Sequence, residues 1–173
     1  MRWQPRSQAT GRRLFSLPLV LSLVTVAAQK KEGPTKSATS EQHVVLNPAD
    51  LKWGDVPPGS PPGAKMAVLA GDPNKKGPFT VRMQAPAGYK VPPHTHPTAE
   101  NLTVISGTFN IGTGDKFDEA AGKELSAGGF VVMPAGMQHY AWSTTETVLQ
   151  IHGKGPFEIK YVNLADDPRN AKK

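Results

Sequence analysis

The sequence contains no cysteine, so its 173 residues form neither a disulfide framework nor a thiolate metal site. Any metal ion would have to be held by histidine, aspartate or glutamate. A basic stripe with interleaved aromatic residues is also missing, and such a stripe is typical of nucleic-acid-binding surfaces. Four of the 20 basic residues lie in the first 28 positions, and the rest of the chain carries 16 basic against 14 acidic residues. We therefore expect no nucleic-acid partner.

A run long enough to span a membrane is lacking too. The longest mainly apolar run, residues 14–28, has 15 residues, fewer than the roughly 20 that a spanning helix needs. It follows an arginine-bearing start and ends in small residues before a polar stretch, which is the order of a signal peptide. Residues 1–28 are predicted to be that signal peptide, with the mature chain starting near Gln29 and no stable membrane span afterwards. An uncleaved anchor helix is the alternative.

The pair Arg12-Arg13 resembles a twin-arginine export signal, although Gly11 and Ser16 differ from its usual flanks. Together with the signal peptide, this pair predicts export of the protein to the periplasm or to the outside of the cell.

Beyond the signal peptide the composition changes several times. Residues 29–43 are polar and aperiodic, which predicts a flexible linker. Residues 44–65 contain two Pro-Pro pairs and are predicted to form an extended arm, because proline lacks the backbone donor that a helix needs. Residues 66–164 are predicted to form the folded domain, and residues 165–173 a polar tail.

Short runs rich in β-branched and aromatic residues fill the domain, separated by Gly, Pro, Asn and Asp. They predict strands over residues 66–70, 79–85, 90–96, 101–106, 108–112, 130–133, 138–144, 147–152 and 157–162. Between them, no helical apolar period continues beyond a turn or two. This density of short strands predicts a single all-β domain, either a sandwich or a jelly roll.

Two motifs with histidines lie among these strands. The first has the pattern G-x5-H-x-H-x3-E-x6-G, formed by Gly88, His94, His96, Glu100 and Gly107. The second has the pattern G-x5-P-x-G-x2-H, formed by Gly128, Pro134, Gly136 and His139. Residues two apart in a strand point to the same side, so His94 and His96 should project together. Glu100 follows at an even spacing, and His139 is expected to reach the same point from across the barrel.

The two motifs resemble those of the cupin family over about residues 66–163. The second departs at its end, where the family often has asparagine and this chain has Ser143. The resemblance implies a double-stranded β-helix, the jelly-roll cupin barrel. It also implies one divalent metal ion on His94, His96, Glu100 and His139. Three imidazoles and a carboxylate suit Fe, Mn, Ni, Cu or Zn, and on an octahedral ion they leave two positions free.

Further candidates surround the predicted metal site. Gln150 and His152 share one face of their strand, and a polar barrel interior would explain both. Gln150 and Arg82 are candidates for substrate binding. His152 is a candidate general acid or base, with a hydrogen-bonded surface histidine as the alternative. Glu100 is the second catalytic candidate, as a proton acceptor if it leaves the metal.

Cupins include dioxygenases, isomerases, decarboxylases and domains that only bind ligands, so the fold alone does not select a function. We expect a metal-dependent oxidoreductase of the dioxygenase type, with a small organic molecule as its substrate. A non-catalytic metal- or ligand-binding module with a closed zinc site is one alternative. A sugar or small-acid isomerase is another. A homodimer is also expected, because small cupins commonly pair and the strand at 130–133 is apolar.

Overall fold

Two antiparallel sheets make up the fold in the computed structural model, which describes residues 43–170. The strands, in chain order, are β1 (Gly54–Asp55), β2 (Lys65–Ala70), β3 (Gly77–Ala85), β4 (Lys90–Thr95), β5 (Glu100–Ser106), β6 (Thr108–Thr113), β7 (Lys123–Ser126), β8 (Phe130–Met133), β9 (His139–Ser143), β10 (Thr147–Gly155) and β11 (Lys160–Tyr161). Short 3₁₀ turns lie at Pro48–Asp50, Glu119–Ala121, Leu164–Asp166 and Pro168–Asn170. None of the helical turns in this part of the chain has the length and apolar character to cross a membrane.

The six-stranded sheet has the order β1-β2-β3-β10-β5-β8, and the five-stranded sheet has the order β11-β4-β9-β6-β7. Neighbours in each sheet are mostly distant in sequence, as in β10, which lies between β3 and β5. This arrangement confirms the predicted all-β jelly roll. The predicted signal peptide over residues 1–28 lies outside the described residues, and so does the predicted linker over residues 29–43 except for its last residue, His43.

The core lies between the two sheets because each long strand turns one apolar face inward. On β10, Leu149 and Ile151 are buried while His152 is exposed. The facing strands contribute Val104 from the same sheet and Phe109 from the other. Full burial of such a side chain stabilises the fold by about 1.5–3 kcal/mol. Alternation with period two therefore places the apolar side chains in one layer.

Several parts of the chain differ from the prediction. The predicted strand over residues 157–162 is a strand only at Lys160–Tyr161, and β1 lies within the predicted arm. Strand β7 has no alternating apolar pattern, yet it pairs with β6 along its whole length. The predicted polar tail over residues 165–173 is folded as far as Asn170: Asp167 is buried, and the Arg169 guanidinium donates to the carbonyl of Ile159. The folded region thus extends past residue 164, because tertiary hydrogen bonds hold segments that have little apolar character.

Candidate metal centre and its cavity

The end of β4 brings His94 and His96 to the inner side of the five-stranded sheet. Val91 also lines the interior, although it lies three positions before His94 and simple alternation would place the two on opposite faces. The pairing of β4 with β9 shifts register between Val91 and His94, at Pro92-Pro93. A bulge adds one residue and restarts the alternation. His94 and then His96 consequently face inward together, as the sequence predicts.

The other two candidates start strands of different sheets. His139 is the first residue of β9 and lies directly opposite His94 in the same sheet. Glu100 is the first residue of β5, in the six-stranded sheet. The expectation that His139 reaches the site from across the barrel is therefore corrected, since Glu100 is the side chain that crosses. Spacing in the sequence does not show which strand pairs with β4.

The four side chains meet in a tight, buried group. Candidate ligand atoms of His94, His96 and His139 all lie within 4.8 Å of one another. The Glu100 Oε2 atom lies 3.3 Å from His96 Nε2 and 3.4 Å from His139 Nε2. The exposed fraction of these residues is between 2% and 6%. A small ion among the four would be shielded from bulk water on most sides.

Backbone carbonyls orient all three imidazole rings. Each Nδ1 lies within hydrogen-bond distance of a carbonyl oxygen, so Nδ1 carries the hydrogen and donates it. The acceptors for His94, His96 and His139 are Pro92 at 2.7 Å, Glu158 at 2.7 Å and Met137 at 3.0 Å. This leaves Nε2 of each ring as the atom available to the centre. Histidines that bind metals in proteins are almost always held in this way.

The ring of His96 has one more support, because it stacks on Phe157 with centroids 4.1 Å apart and an interplanar angle of 16°. The donor set and its orientation therefore fit a divalent ion that accepts imidazole and carboxylate ligands.

Burial and mutual contacts set the charge of the group. Burial, reinforced by the neighbouring His139 and His96, lowers the pKa of His94 to about 3. Burial alone would raise the pKa of Glu100, but the contacts of its carboxylate with His139 and His96 oppose this effect and lower the pKa to about 2. At neutral pH the site thus offers a neutral His94 and a carboxylate. These are the protonation states that metal ligands need.

We expect the metal-free protein to lose stability as the pH falls below about 6.5. The pKa of His94 in the folded chain, about 3, is below the ordinary value of 6.5, so the unfolded chain binds more protons between these values. Its contribution is complete above pH 6.5 and is lost as the pH falls towards 3. Glu100 acts in the same direction between its ordinary 4.5 and about 2. Urea unfolding from pH 7 to pH 4, with a chelator present, measures the slope.

The control for this pH dependence is the exposed histidine of β10. His94→Gln should flatten the dependence of the unfolding free energy between pH 6.5 and 4.5, whereas His152→Gln should leave it as in the parent. Equal slopes in the parent and in His94→Gln would contradict the assignment.

The four side chains form part of the wall of a cavity of about 400 Å³ between the sheets. The volume lies in the range of sites that hold small organic ligands. Most of the remaining wall is apolar and comes from Met66, Phe79, Val81, Met83, Leu102, Phe109, Ile111, Met133, Leu149, Ile151 and Phe157. A ligand in this cavity would have a mainly apolar body in contact with the wall and would reach the histidine cluster with one polar end.

The proline-rich arm closes part of this cavity. Residues 56–61 belong to its wall, and two tyrosines hold them in place. The Tyr89 hydroxyl donates to the carbonyl of Pro61 at 2.7 Å, and the Tyr161 hydroxyl donates to the carbonyl of Gly59 at 2.9 Å. Burial raises the pKa of Tyr89 and raises the pKa of Tyr161 to about 12, so both remain donors at neutral pH. The arm is therefore a fixed part of the cavity rather than a free extension.

Removing either hydroxyl should loosen the arm without unfolding the barrel. For Tyr89→Phe and Tyr161→Phe we expect faster hydrogen exchange over residues 56–61 and a loss of about 1 kcal/mol each in unfolding free energy. Tyr140→Phe is the matched control, because the Tyr140 hydroxyl also donates to a carbonyl, that of Asp118, away from the arm. Exchange in the arm that rises equally in all three variants would show that the two hydroxyls do not hold it.

The remaining sequence candidates lie outside the cavity. Arg82 and Gln150 are paired residues of β3 and β10, and the Arg82 guanidinium donates to Gln150 Oε1 at 3.4 Å. His152 is exposed on the same face of β10. Gln150 and His152 do share one face of β10, as predicted. That face is the outer one, because Leu149 and Ile151 occupy the inner face. This corrects the substrate-binding role expected for Gln150 and Arg82 and the catalytic role expected for His152.

Sequence reasoning missed Arg169, Tyr89 and Tyr161, which line or close the cavity. Tyr89 directly follows the first glycine of the first motif, a position that offered a signal. Arg169 lies near the end of the chain, outside any motif, and nothing local distinguishes it from the other basic residues.

Comparisons with known proteins agree with this architecture. Residues 41–158 match the ChrR cupin-like domain family. Over 54 residues, the chain is 39% identical to a rice protein, Putative germin-like protein 9-2 of Oryza sativa subsp. japonica. That match covers 31% of this chain and spans only 25% of the rice protein.

Solved structures with similar folds include three bacterial proteins. The polyketide cyclase RemF from Streptomyces resistomycificus has a TM-score of 0.60 and 17% identity, covering 73% of this chain and 90% of its own. A putative acetylacetone dioxygenase from Methylibium petroleiphilum has a TM-score of 0.59 and 20% identity, covering 78% and 90%. KdgF from Halomonas sp. has a TM-score of 0.51 and 20% identity, covering 65% and 94%. At these identities the likeness concerns the fold.

Proposed function

This chain belongs to the ChrR cupin-like domain family, and from that premise we propose that it is a metal-dependent oxidoreductase of the dioxygenase type. Its substrate would be a small organic molecule with a mainly apolar body. One observation carries the proposal. Three imidazoles, each held through Nδ1 by a carbonyl, turn Nε2 towards one buried point beside a carboxylate, in the wall of an apolar cavity.

His94, His96, His139 and Glu100 would hold one divalent ion among Fe, Mn, Ni, Cu and Zn. When bound, a redox-active ion would supply the electron transfer that a reaction with dioxygen requires. The chain itself positions the substrate against the histidine cluster and excludes water through its apolar wall. Glu100 is ionised at neutral pH, but its low pKa makes it a weak base while it contacts His96 and His139, so Oε2 would accept a proton only after it moves away from them.

Two observations separate this proposal from its alternatives. In a closed zinc site the protein ligands enclose the ion, whereas here all four candidate ligands belong to the wall of an open cavity. A sugar isomerase needs many hydrogen-bonding partners for hydroxyl groups, whereas this cavity is lined mainly by aliphatic and aromatic side chains. The structural likeness to the putative acetylacetone dioxygenase gives further support, since acetylacetone is itself a small organic molecule.

The test loads metal-free protein with each of the five ions in turn and measures oxygen consumption. Acetylacetone, small phenols and small carboxylic acids form the substrate panel. We expect one ion per chain, and oxygen uptake coupled to loss of substrate with a redox-active ion only. Tight binding of zinc with no oxygen uptake for any ion and substrate would overturn the oxidoreductase and favour a binding module.

A homodimer and export complete the proposal. Strand β8 forms an edge of its sheet, and Phe130 and Val132 on it are 53% and 46% exposed. A second copy covering this edge would remove that apolar surface from water. Light scattering at tens of micromolar should return twice the chain mass, and a value at or below 18.5 kDa, the mass of the full 173 residues, would contradict it.

Export rests on residues 1–28 alone. Mass spectrometry of exported protein should find a chain that starts near Gln29, and an intact first segment would count against cleavage.

A further inference from the structure

The cavity wall has one permanently cationic side chain among the described residues, that of Arg169. It comes from the 3₁₀ turn Pro168–Asn170, which follows the last strand. The other charged residues of the wall are Glu100 and Glu158, both acidic. A positive group in a mainly apolar wall has few roles besides holding the structure together or contacting a ligand.

The guanidinium of Arg169 is held in a fixed orientation. Asp167 accepts from Nε at 2.8 Å through one oxygen and from Nη2 at 2.6 Å through the other. Nη2 also donates to the carbonyl of Ile159 at 3.1 Å. The Asp167 side chain is 10% exposed and the Arg169 side chain is 48% exposed, so the carboxylate side of this fork is buried while part of the guanidinium faces solvent. Such a planar two-point contact fixes the group before any ligand arrives.

One nitrogen of the guanidinium is not used in this fork. Nη1 makes no hydrogen bond with another residue in the 43–170 part of the chain, and it lies beside Gly59 of the arm. A carbon added to Gly59 would be 3.4 Å from Nη1, in ordinary van der Waals contact with it. The two N–H groups of Nη1 are therefore available to an acceptor.

Adjacent carbonyls connect Arg169 to the metal centre. The carbonyl of Glu158 accepts from His96 Nδ1 at 2.7 Å, and the next carbonyl, of Ile159, accepts from Arg169 Nη2. The same short segment thus sets the position of a candidate metal ligand and of the cation. A ligand in contact with both would be held at two points with its body against the apolar wall.

From these contacts we infer that Arg169 is a specificity-determining residue that binds the carboxylate of the substrate through Nη1. The substrate class is then a small carboxylic acid with an apolar body. This inference rests on the proposed function, because it names the substrate of the same cavity. Asp167 offsets part of the positive charge of Arg169. The preference for a carboxylate over a neutral group therefore comes mainly from the hydrogen bonds that Nη1 donates to the anion.

The experiment measures how strongly the metal-loaded protein prefers an acid to its amide. The probes are 3-phenylpropionate and 3-phenylpropionamide, which have the same shape and differ in charge, and calorimetry measures both affinities. We expect the parent to bind the acid at least about tenfold more tightly, the effect of one charge-assisted hydrogen bond. Arg169→Gln should remove this preference with little change in amide affinity. Lys160→Gln removes an exposed cation from outside the cavity wall and should keep it.

Arg169→Lys provides a second test in case Arg169→Gln does not fold. An ammonium group does not maintain the Asp167 fork and the ligand contact together, so the preference should fall at least about threefold. Four results would overturn the inference: a parent that binds neither probe, a parent without preference, a preference unchanged in both Arg169 variants, or equal weakening of both probes by the Arg169 variants. The last result would assign Arg169 a structural role only.

The same titration on chelator-treated protein separates this inference from the proposed function. A chain that binds no metal would refute the oxidoreductase, and the acid preference would still be present and still depend on Arg169. The preference for the acid could instead disappear when the metal is removed and persist in metal-loaded Arg169→Gln. That result would show that the carboxylate binds the ion, and it would overturn the inference.

Discussion

Replacing His94 or His139 by alanine should abolish stoichiometric metal binding while the barrel stays folded. Each substitution removes one imidazole whose Nε2 faces the shared centre. Changes to outer partners of metal ligands already cost about 10–100-fold in affinity, so loss of a ligand should cost more than about 100-fold. The apolar core around Leu149 and Val104 does not depend on these side chains. Elemental analysis and circular dichroism on the purified variants measure the two effects separately.

Two further variants make this result specific. Glu100→Gln preserves the shape of the side chain and removes its charge, so it should retain more metal than either histidine variant and lose any step in which Glu100 accepts a proton. His152→Ala removes an exposed histidine from the outer face of β10 and should bind metal as the parent does. If His94→Ala and His139→Ala bound as much metal as the parent with the same affinity, the ligand assignment would be wrong.

Gly107→Ala should be among the most destabilising single substitutions in the barrel. Gly107 joins β5 to β6 with φ of +81°, a conformation that L-residues rarely adopt. An added methyl group would overlap the carbonyl oxygen of Glu146 and lie 2.8 Å from the Cα atom of Thr147. The backbone conformation alone costs about 1–2 kcal/mol, and the overlap with a backbone that cannot move freely should raise the total to roughly 3 kcal/mol or more. Urea unfolding measures this loss.

Gly88 is the matched control because it opens the same sequence motif. Its φ is +77°, nearly that of Gly107, but an added carbon at this position meets nothing within 4 Å. Gly88→Ala should therefore cost only the conformational part, about 1–2 kcal/mol. Similar losses for the two variants would show that crowding at Glu146 and Thr147 does not matter. A larger loss for Gly107→Ala would show why the glycine that closes the motif has a stricter requirement than the one that opens it.

The amino-acid sequence by itself determined most of the strands, the all-β class and the four residues that meet at the centre. These features have local causes. Alternation with period two marks a strand that has one buried face, and two histidines separated by one residue project to the same side. A turn with proline and glycine sets His139 at the start of its strand. Such patterns depend on neighbours within a few residues, so the sequence alone is enough to recognise them.

Only the tertiary structure decided which side of each strand faces inward and which strands are neighbours. Alternation shows that Gln150 and His152 share a face of β10, but the pairing with β3 and β5 turns that face to the solvent. The contact of the arm with Tyr161 likewise joins residues about a hundred positions apart. The contact of Arg169 with Gly59 also joins residues that are far apart in the sequence. Long-range pairing sets these contacts, because many strand orders are compatible with the same local pattern and only packing of the whole barrel selects one.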